Sequence, residues 1–327
     1  MKRKLSIALA AASVLAVSAC GGSPSGDGPE ESAADGDGAG DLTPVTVGVI
    51  PIVDTAPIWL GQELGFFEEA GLDLELQTAS GGAAIVPGVV SGDFDFGFSN
   101  IVSIMVAEDQ GLGLQFATNG ASSAGLDDDG FSAVVVPEDS PIKSPADLAG
   151  KTVSVNTLSN IGDTTISHVV EEDGGDPSEI KFVEIPFPDA PAALANGQTD
   201  AAWILEPFLS SALEDGARVI SYNFYETHPD LDIAGYFTTD EKLESDPELV
   251  KKFQEAMTRS LEYAQEHPEE VRDIVGTYTE ISEELRAEMV LPAYRPEFNR
   301  EATELLGNAA AKYGTLSEEP NLDEILP

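Results

Sequence analysis

Ser91-Gly92-Asp93-Phe94-Asp95 and Asn196-Gly197-Gln198-Thr199-Asp200 carry one instruction, given twice in the same chain. In each, a glycine closes a helical segment, two residues make a tight turn, and an aspartate opens a β-rich run. Around the first copy, Ile85, Val86, Val89 and Val90 make a helix face, and Phe94 to Phe98 reads as a strand. Upstream, Val45 to Ile50 is a strand bounded by Pro51. Leu60, Leu64 and Phe67 recur at helical spacing until Gly71, and Leu72 to Leu76 alternates apolar and acidic residues as a second strand.

The second copy sits in the same surroundings. Gly150 to Val155 echoes the first strand, and Asn160 to Asp173 is a helix with Ile166, Val169 and Val170 inward. Ile180 to Ile185 is a strand, Ala190 to Asn196 a helix and Asp200 to Leu205 a strand. Strands alternating with helices predict a mostly parallel sheet with helices on both faces. Met twice, the pattern predicts an α/β protein of two Rossmann-like lobes with a ligand cleft between them. The last third is helical. Asp246-Pro247 is an N-cap with proline in the first turn. Leu249, Phe253, Ala256, Met257, Leu261 and Ala264 then share a face, and further helices are expected over 269–277, 282–291 and 299–312. These helices are expected to pack on the first lobe, with crossings near Phe131 to Pro137 and Ala234 to Thr238. The expected division is 44–133 with 236–327 as lobe I, and 134–235 as lobe II.

The N-terminus speaks to compartment. Lys2, Arg3 and Lys4 precede an apolar run from Leu5 to Val17, too short to span a bilayer and suited to a signal peptide. It ends in Val17-Ser18-Ala19-Cys20, which resembles a bacterial lipobox, so 1–20 reads as a lipoprotein signal with Cys20 as the lipidated residue. Cys20 is the single cysteine of the chain, which excludes an internal disulfide. Residues 21–43 are rich in Gly, Ser, Pro and acids and read as a flexible linker, reaching about 25 Å.

The 327 residues are 42% hydrophobic and 7% aromatic, which suits a large folded core and argues against a disordered acidic chain. The formal charge is −43, and −46 once the three basic residues of the signal are removed. Phosphate binding needs clustered Lys and Arg, so nucleic acid is excluded as a partner. The acids spread over surface helices such as Asp246 to Glu270, the pattern of a solvated exterior, so they do not by themselves point to a cationic ligand.

Several segments resemble a known family in order and spacing from about residue 45 to 310. They are Gly48-Val49-Ile50-Pro51, Ala56-Pro57-Ile58-Trp59-Leu60, Gly65-Phe66-Phe67-Glu68-Glu69-Ala70-Gly71-Leu72 and Ser91-Gly92-Asp93-Phe94-Asp95-Phe96-Gly97. Ser132-Ala133-Val134-Val135-Val136, Ser144-Pro145-Ala146-Asp147-Leu148-Ala149-Gly150-Lys151-Thr152-Val153 and Ala201-Ala202-Trp203-Ile204-Leu205-Glu206-Pro207-Phe208 follow. Together they are similar to the nitrate/sulfonate/taurine and thiamine-precursor receptors of ABC importers. The resemblance implies a type II periplasmic-binding fold, a small-molecule ligand delivered to a permease, and lobes that close on it. With the lipobox, the expected protein is a monomer held at the outer face of the membrane through lipid on Cys20, and no cofactor or metal is expected. The ligand does not transfer with the fold.

In doubly wound lobes, ligands lie beyond the carboxyl ends of the strands. That rule selects five loops and, within them, Asp54, Thr55, Ser80, Gly81, Gly82, Ser99, Asn100, Ser159, Asn160, Asp163, Trp203 and Glu206. Free N–H groups at helix starts with Ser, Thr or Asn beside them make an anion seat. Ser80, Asn160 and Asp163 serve equally as helix caps in any protein. Trp203 reads as core, or as a stacking surface at the end of its strand; Trp59 is the weaker candidate. No Arg or Lys lies in the five loops. An anionic head would be held by N–H and hydroxyl donors alone, with nothing beside it titrating between pH 6 and 8. Equally, Asp54, Asp163 and Glu206 would suit a neutral or cationic heterocycle, such as a pyrimidine, or an amine. Both readings stand at this point. His168, His228 and His267 lie far apart, and no nucleophile elbow or phosphate-loop lysine occurs. A cofactor-synthesis enzyme of related fold and a sensor lipoprotein are the alternatives of other classes.

Overall fold

The computed structural model describes residues 42–125 and 130–327. The signal peptide, Cys20 and all but the end of the linker lie outside the described residues. Thr43, expected as linker, already opens the first strand.

The chain runs β1 (Thr43–Val49), α1 (Ala56–Glu63), α2 (Phe66–Glu69), β2 (Leu72–Thr78), α3 (Gly82–Ser91), β3 (Phe96–Asn100), α4 (Ile101–Asp109) and β4 (Leu114–Ser122). It then crosses to β5 (Ser132–Pro137), β6 (Thr152–Val155), α5 (Ile161–Glu172), β7 (Lys181–Glu184), α6 (Ala190–Ala195), β8 (Ala201–Leu205), α7 (Phe208–Glu214) and β9 (Ala217–Ser221). After α8 (Asn223–Thr227) it returns in β10 (Asp232–Thr239), followed by α9 (Asp240–Ser245), α10 (Pro247–Glu266), α11 (Pro268–Tyr278), α12 (Glu283–Glu288), α13 (Arg300–Lys312) and α14 (Leu322–Ile325).

Two five-stranded sheets result, ordered β2-β1-β3-β10-β4 and β7-β6-β8-β5-β9. They match strand for strand. Each has three parallel strands, then one that runs antiparallel to both of its neighbours. The expected mostly parallel sheets are therefore mixed. The reversed strands β10 and β5 are those that enter from the other lobe, and that entry sets their direction. The crossings lie between β4 and β5 and between β9 and β10, slightly ahead of the places expected.

The repeated aspartates explain the echo in the sequence. The Asp95 N–H donates to the Thr46 carbonyl at 2.8 Å, and its carboxylate accepts from the Thr46 N–H at 2.9 Å. Asp200 makes the same pair with Thr152, at 2.9 and 2.8 Å. Each side chain thus continues the ladder one residue beyond the strand. Gly92 and Gly197 hold φ of 80° and 68°, the left-handed region where a Cβ is strained.

The helix expected between Leu60 and Gly71 is broken. Gly65 takes φ 77° and splits it into α1 and α2. α10 keeps the predicted face, with Leu249, Phe253, Ala256, Met257, Leu261 and Ala264 all buried. Phe253 stacks on Phe96 of β3, centroids 3.9 Å apart, which fixes the C-terminal helices against the first sheet. Burial of each such large side chain stabilises by about 2 kcal/mol.

Candidate functional site

The lobes are closed on one another. Ser103 of α4 donates to the Asn160 side chain at 3.1 Å, and Thr164 meets Thr315 at 3.1 Å. Lys312 and Tyr313 both bond Glu171. On the far side, the Val53 N–H donates to the Glu206 carbonyl at 3.2 Å.

Between these contacts lies a narrow cavity, closed down to about 20 Å3, the room of about one water. Lobe I supplies Ile50, Ile52 and Asp54 after β1, Phe98 and Asn100 at the end of β3, and Ile233 and Ala234 of β10. Lobe II supplies Asn156 and Ile161 after β6, Phe187 after β7, Trp203 and Leu205 of β8, and Phe224 of α8. The walls are thus mostly apolar and aromatic, at the ends of strands as the rule for doubly wound lobes requires.

Asp54 is the charged exception. It is 1% exposed, in the one-turn 3-10 helix Val53–Thr55, and its Oδ2 is buried without a hydrogen-bond partner. Burial pushes its carboxyl up to about 7, opposed only by its own backbone N–H. Among the described residues, no Lys, Arg or His lines the cavity to answer it. Burial thus brings one acid of the cavity wall into the range near neutral pH.

Trp203 is both wall and core. Only 2% exposed, it packs edge-on against Phe187 and Phe224 at 5.2 and 5.6 Å. Its indole N–H donates to the Ser132 hydroxyl at 2.7 Å, which donates to Asn223; Asn223 in turn donates to Thr165 of α5. A Cβ on Gly162 would lie 2.5 Å from the indole Cε3, so the helix passes directly over the ring.

The remaining candidates divide. Asn100 lines the cavity while its side chain accepts from the Ser103 N–H at 2.9 Å, capping α4. Ser99 is fully buried beside the start of α3, its hydroxyl without a partner; a Cβ on Gly82 would lie 2.0 Å from that oxygen. Gly81 comes close to Thr157 of the other lobe, and Ser80 is exposed. Thr55 is sealed inside its turn, donating to the Ile50 and Ile52 carbonyls. Ser159, Asn160 and Asp163 form the cap of α5: both N–H groups donate to the Asp163 carboxylate at 2.6 Å, and Asn160 accepts from Ile161. Burial raises the Asp163 pKa while those N–H groups lower it. Glu206 accepts from the Ser210 N–H and hydroxyl, capping α7, and lies outside the cavity wall. Trp59 stacks on Tyr278 at 4.9 Å and is also outside it.

Phe187 and Phe224 were not among the candidates. Phe187 follows a strand at its carboxyl end, so the same rule applied to a sixth loop finds it. Phe224 sits on the crossing segment, and nothing in the sequence marks it.

A family model described as NMT1/THI5 like matches residues 52–271. A Bacillus subtilis (strain 168) protein, provisionally named an aliphatic sulfonates-binding protein, is 24% identical over 236 residues, 70% of this chain and 68% of its own. The alkanesulfonate-binding protein SsuA of Xanthomonas axonopodis pv. citri, bound to MOPS, superposes with a TM-score of 0.73 at 14% identity, over 88% of this chain and 99% of that one. The periplasmic nitrate-binding protein NrtA of Synechocystis PCC 6803 gives 0.71 at 12% identity, over 88% and 86%. The desulfurization enzyme DSZB also shares the fold, at 0.62, 18% identity, 86% and 95%, so fold alone does not separate receptor from enzyme. With the family match running from the Asp54 turn into α11, the chain belongs to the NMT1/THI5-like family and carries the periplasmic-binding-protein fold.

Proposed function

We propose that the protein is the solute-binding receptor of an ABC importer, tethered outside the membrane through Cys20, whose lobes close on one small organic molecule. The ligand lies between Asp54 and Trp203. The observation that carries this reading is the free, fully buried oxygen of Asp54 in an aromatic cavity lined by no basic residue. Burying an unpartnered carboxylate is costly, and a ligand N–H donor relieves that cost. The favoured ligand is therefore a flat, neutral or cationic molecule with an N–H group, such as an amine or an aminated heterocycle.

A sulfonate or nitrate is the second reading. The buried Ser99 hydroxyl at the start of α3 favours it, as do the names of the relative and structural neighbours. A receptor role is supported by the relative and neighbours named as binding proteins, while Asp54, its carboxyl raised to about 7, is among the described residues the one group of the wall that could serve as a base. Turnover of a bound molecule would overturn the receptor role.

Thermal-shift screening of amines, pyrimidines, sulfonates and nitrate finds the ligand. A binder at a hundredfold excess over Kd adds about 2.7 kcal/mol of stability. Calorimetry across pH then separates the readings. A donor or cation pairs with ionised Asp54, so its affinity rises with pH and levels above about 7. An anion weakens over the same range. Asp54→Asn should lower donor affinity by about 2 kcal/mol; a larger loss from Ser99→Ala, with a sulfonate as best ligand, sinks the donor reading.

A further inference from the structure

We propose that Tyr278 and Tyr294 are positioning residues, whose hydroxyls hold the Asp54 turn against water and aim its free oxygen into the cavity. The proposal rests on the reading of Asp54 as the ligand-facing acid. Both phenols come from the C-terminal helical arm, far from the turn in sequence. The Tyr278 hydroxyl donates to the Ile52 carbonyl at 3.0 Å and the Tyr294 hydroxyl to the Val53 carbonyl at 2.9 Å. They thus grip consecutive carbonyls, immediately before Asp54.

A buried phenol must find some acceptor, and a chance carbonyl would satisfy one ring. Two rings on adjacent peptide groups of one three-residue turn fix its orientation as well. The rings are themselves held. Tyr278 stacks on Trp59, and Tyr294, 3% exposed, donates its backbone N–H to Gln265 at 2.8 Å. The rest of the turn is tied by Thr55 to Ile50 and Ile52 and by the Val53 N–H to Glu206. Of the turn's own side chains, Asp54 is left with an unpartnered atom, its Oδ2; the hydroxyl of Tyr236 nearby is buried and unpartnered as well.

The groups that face Asp54 are Tyr236 of β10, Tyr278 of α11 and Tyr294. Burial, with the nearby acid adding to it, raises all three phenols; a hydrogen bond with Thr55 opposes this at Tyr278, and Arg272 at Tyr294. At neutral pH all three are uncharged. They can exclude water from the carboxyl without neutralising it.

The test uses the protein labelled with 13C at aspartate carboxyls, with the Asp54 signal assigned by its loss in Asp54→Asn. Tyr278→Phe, Tyr294→Phe and the double variant keep the rings and remove the hydroxyls. The wild-type carboxyl should titrate near 7. Each single variant should lower the midpoint, and the double variant by one unit or more, as water reaches the freed turn. A midpoint unchanged in the double variant overturns the proposal, as does a wild-type midpoint in the ordinary carboxylate range. If the double variant does not fold, unchanged midpoints in both singles decide against it. The ligand reading is judged separately by calorimetry on Asp54→Asn, so either can fail alone.

Discussion

Asp54 links a single buried atom to the stability of the whole domain. Its folded pKa of about 7 lies above the ordinary 3.8, so the folded protein holds a proton that the unfolded chain has lost. Stability from this group is fully present below the lower value and is lost as pH rises to the upper one. The span corresponds to at most about 4 kcal/mol. Urea unfolding of wild type and Asp54→Asn at pH 4 to 8 should show their difference growing with pH, in favour of the variant. Parallel curves would mean that Asp54 is hydrated. Trp203 makes a second test. Gly162→Ala places a methyl against an indole whose far end is held by Ser132, so ring or helix must move. Ligand affinity should fall about tenfold, for about 1 to 3 kcal/mol of lost stability; calorimetry within twofold of wild type would remove Trp203 from the site. Asp54, Asn100 and Trp203 were visible in the sequence because strand ends are. Their ranking was not. Nothing in Val53-Asp54-Thr55 says that the acid would be sealed among tyrosines more than 180 residues away, while Asn160 and Asp163 look equally polar and spend their groups on a cap.

Among elements, the doubled aspartate was read as a turn signal and turned out to extend two strands. Asp95→Ala should destabilise by about 1 to 2 kcal/mol, since it breaks a charge-assisted bond to Thr46 and the ion pair with Lys242. Asp200→Ala should cost about half that, being exposed and without such a partner. Chemical denaturation checks both, and equal losses would mean that Lys242 contributes nothing. The strands flanked by this signal were legible to within two residues. β4 was missed for a physical reason. Thr118, Asn119 and Ser122 interrupt its apolar pattern, yet they are buried, Asn119 and Ser122 against Asp232 and Thr118 against the Pro296 carbonyl. Their polarity answers distant partners, which local pattern does not reveal.

At the scale of the molecule, the closed cleft is bridged among the described residues by side-chain bonds from Ser103 to Asn160, Thr164 to Thr315 and the exposed Lys312 to Glu171. Lobes joined by two crossings can part as a hinge. Small-angle scattering should give a smaller radius of gyration with saturating ligand than without it. An unchanged curve, with binding confirmed, would mean that the lobes rest closed. Cys20→Ser should release the protein from membranes with an unchanged melting temperature; persistence in the detergent phase would show another anchor.

The exchange of strands β5 and β10 also sets a timetable for synthesis. β4 has β10 as its sole neighbour in the sheet, and β3 ends its parallel set until β10 arrives. Both leave the ribosome a whole lobe earlier than their partner. The sheet running from β5 to β9 is contiguous and can be completed while the first stays split. During that interval β3 and β4 offer bare edges to other chains. The lobe begun first is therefore finished last, once residue 239 has emerged.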